Sequence, residues 1–291
     1  MASLLIVGAL MAALIFTGCS ENGDTSAEEK KTDKSLRLGL FNWAENIAVT
    51  NMWKVLLEEE GYEVEIVTGD KSPVWTGVAE GDLDLHFEAW MPSTDKPLWD
   101  EYESSIEKYG PWFEGTALGL AVPTYVDINS IEELNDHRDK LTYNNESAIV
   151  GIDSGSSLMK LTQQALTDYD LKYNLISSSG PVMTAAVTKA YEKKEPIVAT
   201  LWKPHWIFSQ VDLKFLEDPK NIYGQNENIY LVAHKSFADD HPQVLEWMRN
   251  WKMDDGSLGS LMAVIKDADS PEAGAQQWIE DHRDLVNSWF E

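Results

Sequence analysis

Short apolar runs alternate with segments of helical periodicity from Leu36 to the end of the chain. The apolar runs that predict strands are residues 36–41, 62–68, 83–89, 116–122, 148–152, 173–177, 197–201, 213–216 and 229–233. The segments that predict helices are residues 47–60, 74–79, 98–108, 131–135, 157–169, 182–193, 243–253, 258–265 and 272–290. This alternation favours an α/β fold with largely parallel sheets and helices on their faces.

The length of 291 residues suggests about two domains. The two halves of the strand–helix series look alike in plan, which predicts two α/β lobes with a ligand cleft between them. The first lobe would hold residues 36–122 plus 227–291, and the second would hold residues 123–226. The chain would cross between the lobes twice, and two crossings make a hinge for closure.

The first eighteen residues are predicted to be a signal peptide. An apolar run at residues 4–16 is too short to span a bilayer comfortably, and it ends at Phe16-Thr17-Gly18-Cys19. This pattern resembles a bacterial lipoprotein signal, which implies that Cys19 is lipidated; a plain secretory signal with an incidental cysteine is the alternative. Residues 19–35 are polar and read as a flexible tether. Because Cys19 is the only cysteine, no intramolecular disulfide is predicted.

The formal net charge of −26 argues against nucleic acid or an anionic membrane surface as a partner, because both require basic patches. No P-loop, Gly-x-Ser-x-Gly elbow or Cys/His cluster occurs in the chain, so no catalytic residue, cofactor or metal site is predicted. His86 and Glu88 can share one strand face, but two ligands do not make a zinc site.

Three tryptophans stand where predicted strands end: Trp43, Trp90 and Trp202. Ligands of open α/β sheets bind outside the carboxyl ends of the strands. Indole is also the best side chain for holding a cation by its π-face. These residues therefore predict a cage for a cationic ligand, here called the indole cage. Other tryptophans in helical patterns are predicted to be core, namely Trp53, Trp247, Trp251, Trp278 and Trp289.

A turn of small residues, Asp153-Ser154-Gly155-Ser156-Ser157, lies between a predicted strand and a predicted helix. Such a turn leaves backbone N–H groups exposed at the helix N-terminus, which is a ready anion site. An indole cage beside an anion site suits a small zwitterion with a quaternary ammonium and a carboxylate.

At these residues the chain resembles the substrate-binding proteins of glycine betaine ABC transporters. The resemblance runs from about Leu36 to the C-terminus, and it is carried by Asn42-Trp43-Ala44-Glu45-Asn46, Gly81-Asp82-Leu83-Asp84, Ala89-Trp90-Met91-Pro92, Gly151-Ile152-Asp153-Ser154-Gly155-Ser156 and Trp202-Lys203-Pro204-His205-Trp206. It implies a two-lobed periplasmic-binding-protein fold of type II that traps its ligand on closure. It also implies that Trp43, Trp90 and Trp202 hold the ammonium, and that the backbone amides of Ser157 and Leu158 bind the carboxylate.

One position departs from the family pattern. In several members a histidine follows the second cage tryptophan by five residues and also holds the carboxylate, whereas this chain has Asp95. An aspartate in the cleft would repel a ligand carboxylate and favour choline. The alternative is that Asp95 faces solvent near the rim of the cleft.

The resemblance implies an extracytoplasmic, lipid-anchored receptor that delivers a quaternary ammonium osmoprotectant to an ABC permease and its ATPase subunit, and that is not an enzyme. A choline- or carnitine-preferring receptor is the nearest alternative, and a hydrolase with an aromatic-lined pocket is an alternative of another class. Asp153-Ser154-Gly155 also resembles an aspartic-protease loop, but that chemistry needs two such carboxylates and no second Asp-Ser/Thr-Gly occurs.

Overall fold

A computed structural model describes residues 34–291. The strands are β1 (Ser35–Leu40), β2 (Glu63–Thr68), β3 (Leu85–Met91), β4 (Ile106–Pro123), β5 (Thr142–Tyr143), β6 (Glu146–Val150), β7 (Asn174–Ile176), β8 (Val198–Lys203), β9 (Leu213–Phe215) and β10 (Glu227–His234). The helices are α1 (Ala44–Glu59), α2 (Lys71–Glu80), α3 (Lys96–Tyr102), α4 (Ser157–Asp168), α5 (Gly180–Lys193), α6 (Ile207–Gln210), α7 (Phe237–Asp240), α8 (Pro242–Asn250), α9 (Asp255–Asp267), α10 (Pro271–Asp281) and α11 (Arg283–Asn287). A 3-10 helix spans Ile131–His137.

All ten strands join in one sheet with the order β2-β1-β3-β10-β4-β8-β6-β5, to which β7 adds beside β6 and β9 beside β4. The strands of both flanks pair in parallel, β1 with β2 and β3, and β6 with β7 and β8; the exception is the two-residue edge strand β5, which runs against β6. The centre is antiparallel, because β10 runs against both β3 and β4, and β4 runs against β8 and β9. The prediction of largely parallel sheets is therefore right for the flanks and wrong for the centre.

The long strand β4 connects the two flanks. Its first part, Ile106 to Thr116, pairs with β10, and its second part, beginning at Ala117, pairs with β8. The predicted helix at residues 98–108 is wrong at its end, because α3 stops at Tyr102 and β4 begins at Ile106. The sequence pattern missed the first part of β4 because Gly110-Pro111 reads as a turn. A register shift between Ile229 and Leu231 of β10 lies opposite these two residues, so the ladder continues past them.

The tryptophans predicted to be core are all buried, which confirms their assignment. Trp112 and Trp251 stack with ring centroids 4.6 Å apart, and Trp53 meets Trp251 edge-on at 5.5 Å. These rings join α1 to β4 and to the chain beyond α8, while α9 and α10 also pack against α1. The helix that begins at the first cage tryptophan is thus held by a rigid aromatic core.

The carboxyl ends of β1 and β3 meet at one sheet edge, since both strands pair in parallel, and the ends of β6 and β8 meet in the same way on the other flank. The loops that carry the predicted site residues leave from these ends. The lobe boundaries at residues 122/123 and 226/227 stay a prediction. Along β4, the pairing changes from β10 to β8 between Thr116 and Ala117, slightly before the first of these boundaries. No helix within residues 34–291 is long and apolar enough to cross a bilayer.

Candidate functional site: a buried cavity walled by three indoles

A cavity lies where the two sets of strand ends face each other. Its lining residues are Trp43, Glu45, Lys71, Glu88, Trp90, Thr94, Leu118, Ile152, Ser156, Ser157, Leu158 and Trp202. The structure therefore brings together all three cage tryptophans and both residues of the predicted carboxylate-binding turn. An apolar pocket with a few convergent polar groups is the usual form of a small-molecule site.

The three indoles reach the cavity from three different elements. Trp43 precedes α1 as its N-cap residue, while Trp90 and Trp202 are the next-to-last residues of β3 and β8. Placement just past a strand end is therefore right for Trp43 and wrong for the other two, which still belong to their strands. Each of the three residues is at least 92% buried, with 8, 3 and 3% of its surface exposed.

Each cage indole donates its N–H to a carboxylate. Trp43 Nε1 lies 2.9 Å from Asp153 Oδ2, Trp202 Nε1 lies 2.7 Å from Glu45 Oε2, and Trp90 Nε1 donates to Glu88 Oε1. The first two bonds connect opposite flanks of the sheet, since Trp43 and Glu45 follow β1 whereas Asp153 follows β6 and Trp202 lies in β8. These bonds fix the ring planes around the cavity and join its two sides.

Glu45 and Glu88 form a buried pair of acids in the cavity wall, exposed by 1 and 0%. Desolvation raises the pKa of Glu45 from 4.5 to about 7, against the opposing effects of the bond from Trp202 and the charge of Lys71. Desolvation and the neighbouring Glu45 charge hold the pKa of Glu88 well above its usual range. Glu88 Oε2 is buried without a hydrogen-bond partner within residues 34–291. The wall therefore has a surplus of acidic groups that a cation would offset.

The N-terminus of α4 also contributes to the cavity wall. Ser156 caps this helix, because its hydroxyl accepts a bond from the amide of Met159 at 3.2 Å. The amides of the first helical residues, Ser157 and Leu158, have no partner inside a helix. Both residues line the cavity, so the local geometry favours an anionic group at this end.

Asp95 does not face solvent, so that alternative is wrong: the residue is fully buried. Its Oδ2 accepts the Trp90 amide at 2.8 Å, and its Oδ1 accepts the Ser157 hydroxyl at 2.9 Å. The Lys71 ammonium lies 2.5 Å from the same Oδ1. Because this ion pair neutralises Asp95, the expected repulsion of a ligand carboxylate is largely removed, and Asp95 itself lies behind the cavity wall rather than in it.

Sequence reasoning did not assign Glu45, Glu88 or Lys71 to the site. Glu88 could have been found from the sequence, because it is a charged residue inside an apolar strand. Such residues are seldom buried without a partner, so its position indicates a polar contact within the fold. Glu45 lay within a quoted motif but carried no separate signal. Lys71 gave none, because Asp70-Lys71-Ser72-Pro73 reads as a polar turn. The predicted lipidation site, Cys19, lies outside the described residues.

The histidines near the site are buried and neutral. Burial lowers the pKa of His86 and of His205 to about 3. Within residues 34–291 no group of three or more His, Cys, Asp or Glu side chains is placed to hold a metal ion.

Comparison with known proteins identifies the family of this chain. A family model described as the substrate binding domain of the ABC-type glycine betaine transport system matches residues 34–281. Lactococcal OpuAC, in its closed form complexed with glycine betaine, superposes with a TM-score of 0.80 at 32% identity, covering 89% of this chain and 100% of that one. The glycine betaine, L-proline-binding protein ProX of Borrelia burgdorferi gives 0.81 at 31%, covering 88% and 96%.

A curated relative, the glycine betaine/carnitine transport binding protein GbuC of Listeria monocytogenes, is 40% identical over 144 residues. That match covers 48% of each chain, so it spans about half the length of this relative. With the two superposed structures, these findings confirm a two-lobed α/β periplasmic-binding-protein fold with a ligand cleft between the lobes.

Removing the Glu45 carboxyl should change how stability depends on pH. The folded state holds the proton of Glu45 up to about pH 7 and the unfolded chain only to about 4.5, so ionisation lowers stability as the pH rises through this range. Glu45→Gln cannot ionise, and its free energy of unfolding relative to wild type should rise by about 3 kcal/mol between about pH 4.5 and pH 8. Denaturant unfolding of ligand-free protein measures this difference.

Glu80→Gln is the matched control, because Glu80 is exposed at the end of α2. It measures the effect of the same substitution outside the buried pair. If the Glu45→Gln difference changes with pH no more than the Glu80→Gln difference does, the carboxyl of Glu45 is not held protonated by burial.

Proposed function

The chain belongs to the family of substrate-binding domains of ABC-type glycine betaine transport systems, and from that premise we propose that it captures a small quaternary ammonium osmoprotectant outside the cytoplasm and delivers it to an ABC permease and its ATPase subunit. One observation carries the proposal: Trp43, Trp90 and Trp202 wall a single buried cavity that also contains the acidic pair Glu45 and Glu88. The family consists of receptors rather than enzymes.

The chemistry of the cavity fits a cation that cannot donate a hydrogen bond. A quaternary ammonium has no N–H, so aromatic faces recognise it in place of hydrogen-bond acceptors. Each desolvated indole contributes about 2 kcal/mol, and three give about 6 kcal/mol. Micromolar affinity needs about 8 kcal/mol net of the cost of association, so further contacts are required.

The further contacts come from charge. An ammonium bound beside Glu45 and Glu88 would favour their ionised forms, which would then supply countercharge to the ligand. The N-terminal amides of α4, at Ser157 and Leu158, would bind a carboxylate. Glycine betaine has both groups, and the lactococcal relative was solved with that ligand. We therefore propose glycine betaine as the first ligand, with carnitine and choline as the alternatives.

The proposal extends to the membrane. The apolar run at residues 4–16, followed by Thr17-Gly18-Cys19, supports removal of residues 1–18 and lipidation of Cys19. Residues 19–35 would then tether the binding domain to the outer face of the membrane. A lipid-anchored receptor stays close to its permease, which raises its effective concentration there.

Truncating each cage tryptophan should weaken glycine betaine binding. Each of Trp43→Ala, Trp90→Ala and Trp202→Ala should lower the affinity at least about tenfold, on the order of 1.4 kcal/mol. Each phenylalanine variant should lose less, because an aromatic face remains. Trp99→Ala is the control, since Trp99 is partly exposed and lies outside the cavity. Titration calorimetry measures the affinities, with thermal unfolding as a check on folding.

An alanine variant that is folded and keeps wild-type affinity would remove that tryptophan from the indole cage. If all three keep it, the cavity is not the binding site.

Replacing the cysteine should release the protein from the membrane. Cys19→Ala removes the thiol that would carry the lipid, so the protein should move from the membrane fraction to the soluble fraction. Detergent phase separation after expression of the full chain checks this. Ser20→Ala is a matched control that leaves the thiol in place. A Cys19→Ala protein that stays in the detergent phase would contradict lipid anchoring at this residue.

A further inference from the structure

Lys71 places a positive charge in the wall of a cavity proposed to receive a cation. It is the first residue of α2, is 2% exposed, and is the only basic residue among those that line the cavity. Its ammonium lies 5.0 Å from the centre of the Trp43 ring. A like charge at this distance from the indole cage disfavours a ligand that is only a cation. The position of Lys71 therefore bears on which ligand the cavity accepts.

The Lys71 ammonium is paired with Asp95 but still has N–H donors that are free to bind a group in the cavity. An ammonium has three N–H donors, and Asp95 is the one acceptor that Lys71 has within residues 34–291. Asp95 does not line the cavity, and its two oxygens are already held by Trp90 and Ser157. The aspartate thus fixes the lysine in place from behind, while the lysine belongs to the cavity wall.

Lys71 also lies beside the N-terminus of α4. Asp95 Oδ1 is 2.5 Å from the Lys71 ammonium and 2.9 Å from the Ser157 hydroxyl, so the two groups converge on one oxygen. Ser157 opens α4, and its amide and that of Leu158 belong to the helix end that favours negative charge. A full positive charge and a helix N-terminus therefore lie together at one place in the wall.

We propose that Lys71 is a specificity-determining residue that binds the ligand carboxylate together with the N-terminus of α4, so that the cavity prefers a zwitterionic quaternary ammonium over one that lacks an anionic group. This inference rests on the proposed function of the cavity. The two residues of the ion pair then have different roles: Asp95 positions Lys71, and Lys71 contacts the ligand. A simple cation such as choline meets the same positive charge without a compensating anion.

The test compares two ligands on one set of variants. Removing Lys71 alone would leave Asp95 buried without a partner, so the main variant is Lys71→Met/Asp95→Asn, which replaces the pair with neutral groups of similar size. Calorimetry with glycine betaine and with choline gives the ratio of the two affinities. We expect the double substitution to lower the betaine-to-choline ratio about tenfold or more, which is about 1.4 kcal/mol.

Three further proteins complete the design. Lys71→Arg keeps the charge and should keep the ratio near its wild-type value. Lys71→Gln removes the charge but can still donate a hydrogen bond to Asp95. If the double variant does not fold, the betaine-to-choline ratio is measured on Lys71→Gln, and the same fall is expected. Lys96→Met/Asp100→Asn is the matched control, because this exposed pair on α3 lies away from the cavity and should leave the ratio unchanged.

A ratio that stays the same while both affinities fall would overturn the inference, because Lys71 would then only stabilise the fold. A parallel rise of both affinities would also overturn it, since Lys71 would then be a competitor for the indole cage. Wild-type protein that binds neither compound would remove the proposed function, and this inference with it.

Discussion

The three hydrogen bonds from indole N–H groups to carboxylates are the constraint on which the site depends. A buried indole needs an acceptor for its N–H, and a buried carboxylate needs donors. Trp43 with Asp153, Trp202 with Glu45 and Trp90 with Glu88 satisfy both needs with one bond each. As a result, the polar edge of each ring is held by the wall, and all three indoles line one cavity. Two of the bonds join opposite flanks of the sheet, so the cavity is closed by the same bonds that orient its rings.

The same bonds leave the cavity electrostatically incomplete. Glu45 and Glu88 are buried together, their pKa values are raised, and Glu88 Oε2 has no partner within the described residues. Ionising these two neighbouring acids is unfavourable in a low dielectric. A ligand that brings a permanent positive charge would relieve this cost as well as gain the cation–π energy. Lys71 meets only part of the need, because its ammonium is bound to Asp95.

Much of this arrangement could be predicted from the sequence, since alternating strands and helices placed the indoles at the correct sheet edges. The antiparallel centre of the sheet could not be predicted, because strand direction there depends on the pairing of β10 with β3 and β4, and β10 lies far from both in the chain. The first part of β4 was missed because Gly110-Pro111 resembles a turn and the compensating bulge lies in another strand.

The charged residues of the site show the same limit. Lys71, Asp95 and Ser157 are far apart in sequence, and only their convergence on one oxygen gives Lys71 a role. Asp95 viewed alone suggested a repelled carboxylate or a solvent-exposed side chain. Its burial and its lysine partner come from the packing of α2 and α3, which no local pattern encodes.

The central claim is that the cavity recognises its ligand by positive charge held against indole faces and buried acids. The most direct measurement compares glycine betaine with 3,3-dimethylbutanoate, its carbon isostere, which keeps the shape and the carboxylate but replaces the positively charged nitrogen with a neutral carbon. Competitive displacement of labelled glycine betaine from the wild-type protein gives both affinities. We expect the isostere to bind at least about a hundredfold more weakly, a loss of about 2.7 kcal/mol. Equal affinity for the two compounds would show that shape and the carboxylate suffice, and it would contradict the claim.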